Sequence, residues 1–364
     1  MIAVIIRNGL SAVNGQKKEG LKVMPSLKDI AKKCGVSVAT VSKALNGHRD
    51  IGEETRKRIC TTAEEMGYIA NSVARALKTN RSYNLGMLFV DEKRSGLGHE
   101  YFSTILEGFK AEAESHGYDI TFINSHVGED PNAYVRHCRR RGLDGIVIAC
   151  VDFNDPRILA LVNSEIPLVT IDHVFEGHTA VLSDNINGVD ALVRFAYSKG
   201  HRPIAFLHGE DTAVTRGRLT GFHQACRDLG LEIPEEYIIP CIYHEPDVCE
   251  AATRQLLQHP HHPTCILFPD DYSFIGGHNA LLEAGYTMPR LSAGLNSISV
   301  MGYDGINLAR MMGLTTYTQN AVDIGRTAAN RLIRHVENPE DTPVEQVLVS
   351  GSLLEGSSVE DLSK

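Results

Sequence analysis

A chain of 364 residues with 43% hydrophobic and 22% charged side chains has the make-up of a globular protein of two or three domains. No run reaches the ~18 apolar residues needed to span a bilayer. The start, MIAVIIRNGL, has Arg7 after six residues and no small-residue cleavage pattern, so a membrane span and an export signal are both disfavoured. The net charge of −9 hides an asymmetry: residues 1–82 carry 15 Lys and Arg against 7 Asp and Glu, and the remainder 21 against 38. A basic head on an acidic body confines attraction for nucleic acid to one end. The eight cysteines form no C-x-x-C and lie mostly in apolar runs, as reduced thiols of the cytoplasm do.

Residues 1–24 show no periodicity and are expected to be a disordered extension, with Met24 an alternative start. Ser26–Asn46 reads as two short helices joined by a tight turn. Ser26 can cap the first, with Asp29 completing a capping box. Leu27, Ile30, Ala31 and Cys34 share one face, and Gly35 suits the left-handed turn that ends it. Ser37 can cap a second helix with Val41, Ala44 and Leu45 inward. Its outward side carries Val38, Ala39, Thr40, Ser42 and Lys43, short or polar side chains that can approach base edges and phosphates. Ala31, Gly35 and Val41 meet the demands of a helix-turn-helix: a small residue at the crossing, a turn glycine and a branched core residue. The alternative is an ordinary helical hairpin in a core. A third helix is expected over Glu53–Met66, with Thr55, Ile59, Thr62 or Ala63, and Met66 inward. Residues 71–81 are helix-compatible but too short to be stable alone, hence either a plain linker or a hinge helix that orders with DNA and a second subunit.

SLKDIAKKCGVSVATVSKALNG, the EETRKRI helix, Gly67-Tyr68 and NSVARALK follow in an order that resembles the lactose/galactose repressor (LacI/GalR) family of transcription regulators over residues 26–81. The resemblance implies a DNA-binding set of Ser37, Val38, Ala39, Thr40, Ser42, Lys43, Asn46, Arg49, Leu77 and Lys78. Val38 and Ala39 would occupy the positions that vary most with operator sequence. They can touch thymine methyls but form no bidentate hydrogen bonds. Lys43 stands where many members carry Arg, giving a point charge in place of a fork. Gly52 replaces the usual serine before the third helix. Leu77 would wedge into the minor groove at the operator centre, with Lys78 against the sugar-phosphate; simple packing is the alternative for Leu77.

From Tyr83 short apolar strands alternate with amphipathic helices. Strands are expected over 85–90, 120–124, 145–150, 168–172, 204–208, 237–242, 264–268 and 298–303. Helices are expected over 101–116, 131–141, 156–163, 187–199, 218–229, 247–258 and 273–284. This alternation implies parallel sheets covered on both faces, and the length implies two α/β lobes with a ligand between them at the carboxyl ends of the strands. The fold class is therefore α/β with a small all-α head: residues 25–69 a three-helix helix-turn-helix domain, 70–82 a hinge, and 83–364 a two-lobed sensor. By resemblance the sensor is periplasmic-binding-protein-like, with one lobe over 84–186 and 316–343 and the other over 187–313 and 344–364.

Expected effector-binding residues are Tyr101, Phe102, Asp172, His173, Phe175, Arg218, Tyr243, Asp271 and Asp304. The aromatics can stack on a sugar face or a base. By resemblance Arg218 is the ligand-contacting arginine, and Asp271 and Asp304 match two acidic positions that accept hydrogen bonds from ligand hydroxyls. The alternative for each acid is that it caps the helix after it. The RLSAGLNS stretch after Pro289 reads as a surface loop without assigned role. HPHHP at 259–263 lacks helical metal-site spacing, so no metal is expected. No P-loop, G-x-S-x-G or post-strand G-x-G-x-x-G occurs, adjacent Asp270 and Asp271 diverge on a loop, and no cofactor or enzyme activity is expected. The reading is a cytoplasmic repressor acting as a homodimer on a near-palindromic double-stranded operator, controlled by a small polar effector such as a sugar or sugar derivative. The chain ends without a leucine heptad, which favours a dimer over a tetramer. The alternative function is a cytoplasmic small-molecule sensor acting through protein partners.

Overall fold

The computed structural model describes residues 25–45, 50–68, 81–90, 98–124, 126–289 and 296–363. The first 24 residues, Asn46, Arg49, Leu77, Lys78 and most of the 290–297 loop lie outside them. The chain separates into two compact units, divided between residues 80 and 81.

The first unit holds α1 (Leu27–Cys34), α2 (Val38–Leu45) and α3 (Glu53–Met66). The Asp29 carboxylate accepts from the Ser26 backbone N–H at 2.8 Å and from its hydroxyl at 2.6 Å, tying down the entry to α1. Gly35 takes φ 63° and its N–H returns to the Ala31 carbonyl. The Ser37 hydroxyl accepts from the Thr40 N–H at 3.0 Å, capping α2. The buried core is Ile30, Ala31, Val41, Ala44, Ile59 and Ala63, so Ala63 rather than Thr62 is the inward residue of α3. Three of the six are alanines, and at ~1.5–3 kcal/mol for each larger side chain such a core supports only marginal stability. Gly52 before α3 supplies no side-chain cap.

The second unit is built on two six-stranded sheets. The first combines β1 (Asn84–Phe89), β2 (Asp119–Phe122), β3 (Gly145–Ala149), β4 (Leu168–Ile171), β5 (Thr179–Ser183) and β13 (Gln346–Val349) in the order β13-β5-β4-β3-β1-β2, all parallel. The second combines β6 (Ile204–His208), β7 (Ile238–Pro240), β8 (Cys265–Leu267), β11 (Ser299–Asp304), β12 (Thr315–Thr318) and β14 (Ser352–Leu354) in the order β14-β12-β11-β8-β6-β7. Only β14 is antiparallel to its neighbour. β9 (Tyr286–Thr287) and β10 (Asn296–Ser297) form a separate short pair. Strands such as GIVIA and LVTI are buried along their whole length, as strands covered on both faces must be.

Helices α4 (Glu100–Ser115), α5 (Ala133–Arg141) and α6 (Pro156–Val162) follow strands of the first sheet. Helices α7 (Asn185–Ser198), α8 (Ala213–Asp228), α9 (Pro246–Leu256), α10 (Phe274–Glu283) and α11 (Asn307–Met312) belong with the second. The seventeen-residue α12 (Ala321–Glu337), absent from the expected elements, packs on α4 against the first sheet. The two helices touch backbone to backbone: a Cβ on Gly325 would lie 1.8 Å from the Ile105 carbonyl oxygen, and one on Gly108 2.0 Å from that of Val322. Helix α8 starts at Ala213, a full turn before the expected Arg218, because Thr212 caps it.

The expected lobe crossings need correction. The strand at 346–349 pairs with β5 in the first sheet, whereas 315–318 pairs with β11 in the second. The chain therefore crosses at 183–185, 318–321 and 349–352, and the segments expected to return at 316 and 344 do so several residues later. Parallel pairing explains the difference: β13 completes a ladder whose partner lies some 160 residues earlier, which no local pattern announces. Hydrogen bonds stitch the crossings together. Asn320 Nδ2 donates to the Ser350 carbonyl at 2.6 Å, and Ser350 Oγ donates to the Asp184 carboxylate at 3.2 Å.

Candidate functional site

Two sets of predicted residues can be placed. On α2, Ser37, Val38, Ala39 and Lys43 are exposed, while Thr40 and Ser42 are half-buried. An apolar residue left 40% exposed at Val38, next to Ala39, gives this face a methyl-rich centre. The Ser37 and Thr40 hydroxyls bond each other at 2.8 Å, and Lys43 is ion-paired with Asp50. The pair is solvent-exposed on both sides and so exchanges readily for another anion.

The sensor residues gather at the carboxyl ends of the strands. Non-glycine residues with positive φ concentrate there: Cys150 at 51° after β3, Asp172 at 57° after β4, His244 at 56° after β7, and Asp304 at 111° closing β11. Such conformations cost free energy and persist where the surroundings enforce them, commonly at sites of function.

Arg218, only 4% exposed, is a buried basic side chain in this cluster. Its Nε donates to Asn185 Oδ1 at 2.9 Å and its Nη1 to the Pro269 carbonyl at 2.6 Å, leaving Nη2 3.8 Å from the Asp304 carboxylate. Its plane lies 3.7 Å over the Tyr303 ring and 5.3 Å from that of Tyr243. Burial opposes its charge, but Tyr243, Tyr303 and Asp304 hold the guanidinium above its ordinary value. Tyr243 in turn bonds Thr215 at 2.8 Å and lies flat across Gly209, where a Cβ would meet its ring at 2.1 Å.

Asp304 accepts from Gln319 Nε2 at 2.7 Å, and burial raises its pKa well above the usual carboxylate range despite Arg218. Burial likewise raises Asp172, which accepts from the Ser183 N–H at 2.6 Å and hydroxyl at 3.0 Å. The Tyr101 hydroxyl lies 3.2 Å from both Ser183 Oγ and Gln319 Oε1 and can donate to one of them at a time. Asp172, Ser183, Tyr101, Gln319 and Asp304 thus form a polar chain from the first lobe to the second. An open cavity of about 360 Å³ adjoins it, lined by Tyr101, Asp304, Gln319, Asn307 and Arg310 among others, within the size range of small-ligand sites. Asp172, Arg218 and Tyr243 do not line that cavity.

Other predicted residues are placed differently. Phe102 is fully buried, stacked on Phe89 at 3.5 Å in the core of the first lobe, because consecutive helical residues point about 100° apart and Tyr101 takes the cleft side. Asp271 is also fully buried, and its acceptors are occupied. It takes the Gly305 and Ile306 N–H groups at 2.7 and 3.0 Å and the Thr316 hydroxyl at 2.7 Å. Burial raises its pKa to about 7. Asp270, not Asp271, caps the turn into α10, accepting from the Tyr272 and Ser273 N–H groups. His173 stacks on Phe153 at 3.9 Å, with Phe175 4.6 Å away, forming an aromatic patch on the first lobe.

Residues that sequence reasoning missed are Ser183, Asn185, Tyr303, Gln319, His99 and His244. Polar residues directly after a strand, as in Gln319-Asn320 after TTYT, were the available signal for one of them. His99 and His244 bring their rings to 3.7 Å across the lobes, and Glu100 Oε1 accepts from the Asn307 N–H at 2.8 Å beside them. Among the described residues no group of three or more His, Cys, Asp or Glu is placed to hold a metal ion, and no helix is long and apolar enough to cross a membrane.

Comparison with known proteins agrees with this division. Residues 26–71 match the family described as bacterial regulatory proteins, lacI family, and residues 84–353 match periplasmic binding proteins and sugar binding domain of LacI family. The HTH-type transcriptional repressor PurR of Escherichia coli (strain SE11) is 29% identical over 347 residues, covering 93% of this chain and 98% of PurR. The lac repressor dimer bound to operator and the anti-inducer ONPF superposes with a TM-score of 0.72 at 22% identity, covering 92% of this chain and 99% of the other. A CelR–cellobiose complex gives 0.68 at 21% identity, with the same coverage of 92% and 99%. A regulator from Enterococcus faecium with bound ribose gives 0.64 at 24%, covering 77% of this chain and 99% of the other.

Proposed function

The chain belongs to the LacI family of bacterial regulators, and from that premise we propose that it is a cytoplasmic repressor, acting as a homodimer on a near-palindromic operator, whose grip on DNA is set by a small polar effector between its lobes. Members of this family are regulators rather than enzymes. The observation that carries the reading of the effector is the polar chain from Asp172 through Tyr101 and Gln319 to Asp304, backed by Arg218. With Asp172 and Asp304 raised by burial, the Gln319 amide, the Tyr101 hydroxyl and the Arg218 guanidinium, the cluster offers both donors and acceptors, which suits a hydroxyl-rich ligand. A sugar or sugar derivative fits that chemistry. The solved relatives that carry cellobiose and ribose support the same class.

At the other end, Ser37, Val38, Ala39, Thr40, Ser42 and Lys43 would enter the major groove. Asn46, Arg49, Leu77 and Lys78 complete the DNA-binding set by resemblance. Tyr101, Asp172, Arg218, Tyr243 and Asp304 would contact effector, with His173 and Phe175 at its edge. Phe102 and Asp271 support the site from behind. An effector can shift operator affinity only by its differential affinity for the two lobe arrangements.

The test is selection of duplexes from a random pool, followed by anisotropy titration of the selected sequence. Affinity for a palindromic winner should fall steeply between about 50 and 200 mM salt, with a log–log slope near −0.9 for each phosphate contact. A thermal-shift screen of sugars, sugar phosphates and nucleobases then identifies the effector class. Salt-insensitive, sequence-blind binding would favour a head that docks protein instead.

A further inference from the structure

Beside the polar chain, the first lobe carries an aromatic shelf. Phe153 lies between β3 and α6, and His173 and Phe175 lie between β4 and β5, so all three stand past the carboxyl ends of their strands. The Phe153 and His173 rings stack at 3.9 Å with an interplanar angle of 6°. Phe175 stands at an angle to both, 4.6 Å from His173 and 6.0 Å from Phe153. Phe153 and Phe175 pack on the core cluster that includes Ile158 and Leu161 of α6. All three rings are only half-buried, and Val174 between two of them is 41% exposed. An apolar surface is thus left uncovered at the rim of an otherwise polar site.

The shelf is held rigidly. The Thr170 hydroxyl donates to the His173 carbonyl, and Asp152 Oδ1 accepts from the Asn154 N–H at 2.9 Å in the loop that carries Phe153. Two observations set it in the cleft. Asp172, the first-lobe end of the polar chain, directly precedes His173 and takes φ 57° with its carboxylate bound to Ser183. From the second lobe, Arg216 of α8 acts on the same ring. Burial, and with it the charge of Arg216, holds the His173 imidazole below its ordinary pKa, so at neutral pH it is an uncharged aromatic face. Arg216 pairs with Asp211 at 2.6 Å, and both are largely exposed, so the facing lip offers hydrogen-bond donors and acceptors.

We propose that Phe153, His173 and Phe175 seat a second sugar ring, so that the effector is a disaccharide or longer glycoside whose first ring is bound by Asp172, Arg218 and Asp304. This rests on the effector reading above and names the class of sugar within it. A pyranose has an apolar face of C–H groups and a rim of hydroxyls. The face covers the stacked Phe153 and His173 rings, removing apolar surface from water, while the rim meets Asp211 and Arg216. A monosaccharide held on the polar chain would leave the shelf wet.

Titration calorimetry on the full chain tests the second ring. The probes are cellobiose, maltose, lactose, melibiose, sucrose and trehalose, their constituent monosaccharides, and the nucleosides adenosine and guanosine. At least one disaccharide should bind about tenfold or more tighter than either of its constituents. Phe153→Leu keeps the apolar packing but loses the flat ring, and should weaken that disaccharide about three- to tenfold. Affinity of this variant for the constituent monosaccharide should stay as in the parent. Phe153→Tyr, which restores a ring, should bind the disaccharide as the parent does. A monosaccharide that binds as tightly as any disaccharide, or a Phe153→Leu variant that loses equally on both or on neither, overturns the second ring while leaving a sugar effector standing. Binding of a nucleoside alone, or of no probe, overturns the second ring and the sugar reading together.

Discussion

Asp271 holds Asp304 in place: its carboxylate accepts both N–H groups of the turn, Gly305 and Ile306, that follows Asp304 at φ 111°. One carboxyl is thus consumed in presenting another. Removing the support should cost far more stability than removing what it presents. Asp271→Ala leaves three buried donors unpaired and should destabilise the sensor by ~2–4 kcal/mol. Asp304→Gly relieves a conformation that only glycine adopts freely but takes the carboxylate from Gln319 Nε2 and buried Arg218, so its net cost should be smaller, ~0–1 kcal/mol, while it abolishes the effector response and spares operator binding. Urea titrations of both variants, with operator anisotropy, check the contrast.

Burial of Asp304 predicts a pH effect of definite sign. Its folded-state pKa is raised, so the folded chain takes up a proton that the unfolded chain lacks. The sensor therefore loses stability as pH rises from the ordinary carboxylate range through the raised value, and Asp271, raised to about 7, acts in the same direction. Histidines lowered by burial, such as His201 and His335, push the opposite way. The clean observable is a difference. Between pH 7 and 5 the parent should gain stability relative to Asp304→Asn, by about 1.4 kcal/mol for each unit of the raised pKa that is crossed. A parent and variant with parallel pH profiles would refute the assignment.

On the head, Lys43 is ion-paired with Asp50, which would compete with phosphate in the proposed complex with DNA. Asp50→Asn should raise operator affinity about three- to tenfold and make the salt slope steeper by up to about one contact. Lys43→Ala should weaken binding to all duplexes alike, since a point charge on phosphate carries no sequence information. Paired anisotropy titrations on specific and scrambled duplexes separate the two.

Gly209 leaves room for the Tyr243 ring, and a methyl group there would fall within 2.1–2.4 Å of three of its carbons. Gly209→Ala should displace the ring from Arg218 and cut effector affinity by about tenfold or more, roughly 1.4 kcal/mol. Calorimetry with whichever sugar the thermal screen selects measures it, and unchanged affinity would remove Tyr243 from the site.

Elements fixed by neighbours in the chain were legible. Ser26 with Asp29, Gly35 and Ser37 define α1 and α2 without reference to anything distant, and runs such as GIVIA announce buried strands. α12 escaped notice because Ala321, Gly325, Ala328 and Ala329 make much of its inward stripe, and small residues give a weak apolar signal although they allow the closest packing. The crossings escaped because β13 finds its partner in β5 across the length of the second lobe. Within the site, Arg218 and Asp304 follow from motifs, whereas Gln319, His99 and His244 become neighbours only when the lobes meet. Phe102 and Asp271 show the limit of motif transfer: Phe102, next to cleft-side Tyr101, and Asp271, whose acceptors hold the turn after Asp304, are both fully buried.

The three crossings also dictate the order in which the protein can be made. The first lobe lacks α12 until residue 337 and its last strand until Val349. The second sheet lacks its edge until Leu354. At ~5–20 residues per second on the ribosome, the head is complete within seconds, but both sensor lobes stay open-edged for most of synthesis and close almost together at its end. Premature termination between residues 67 and 345 would therefore leave a finished three-helix head joined to a sensor that cannot complete either sheet.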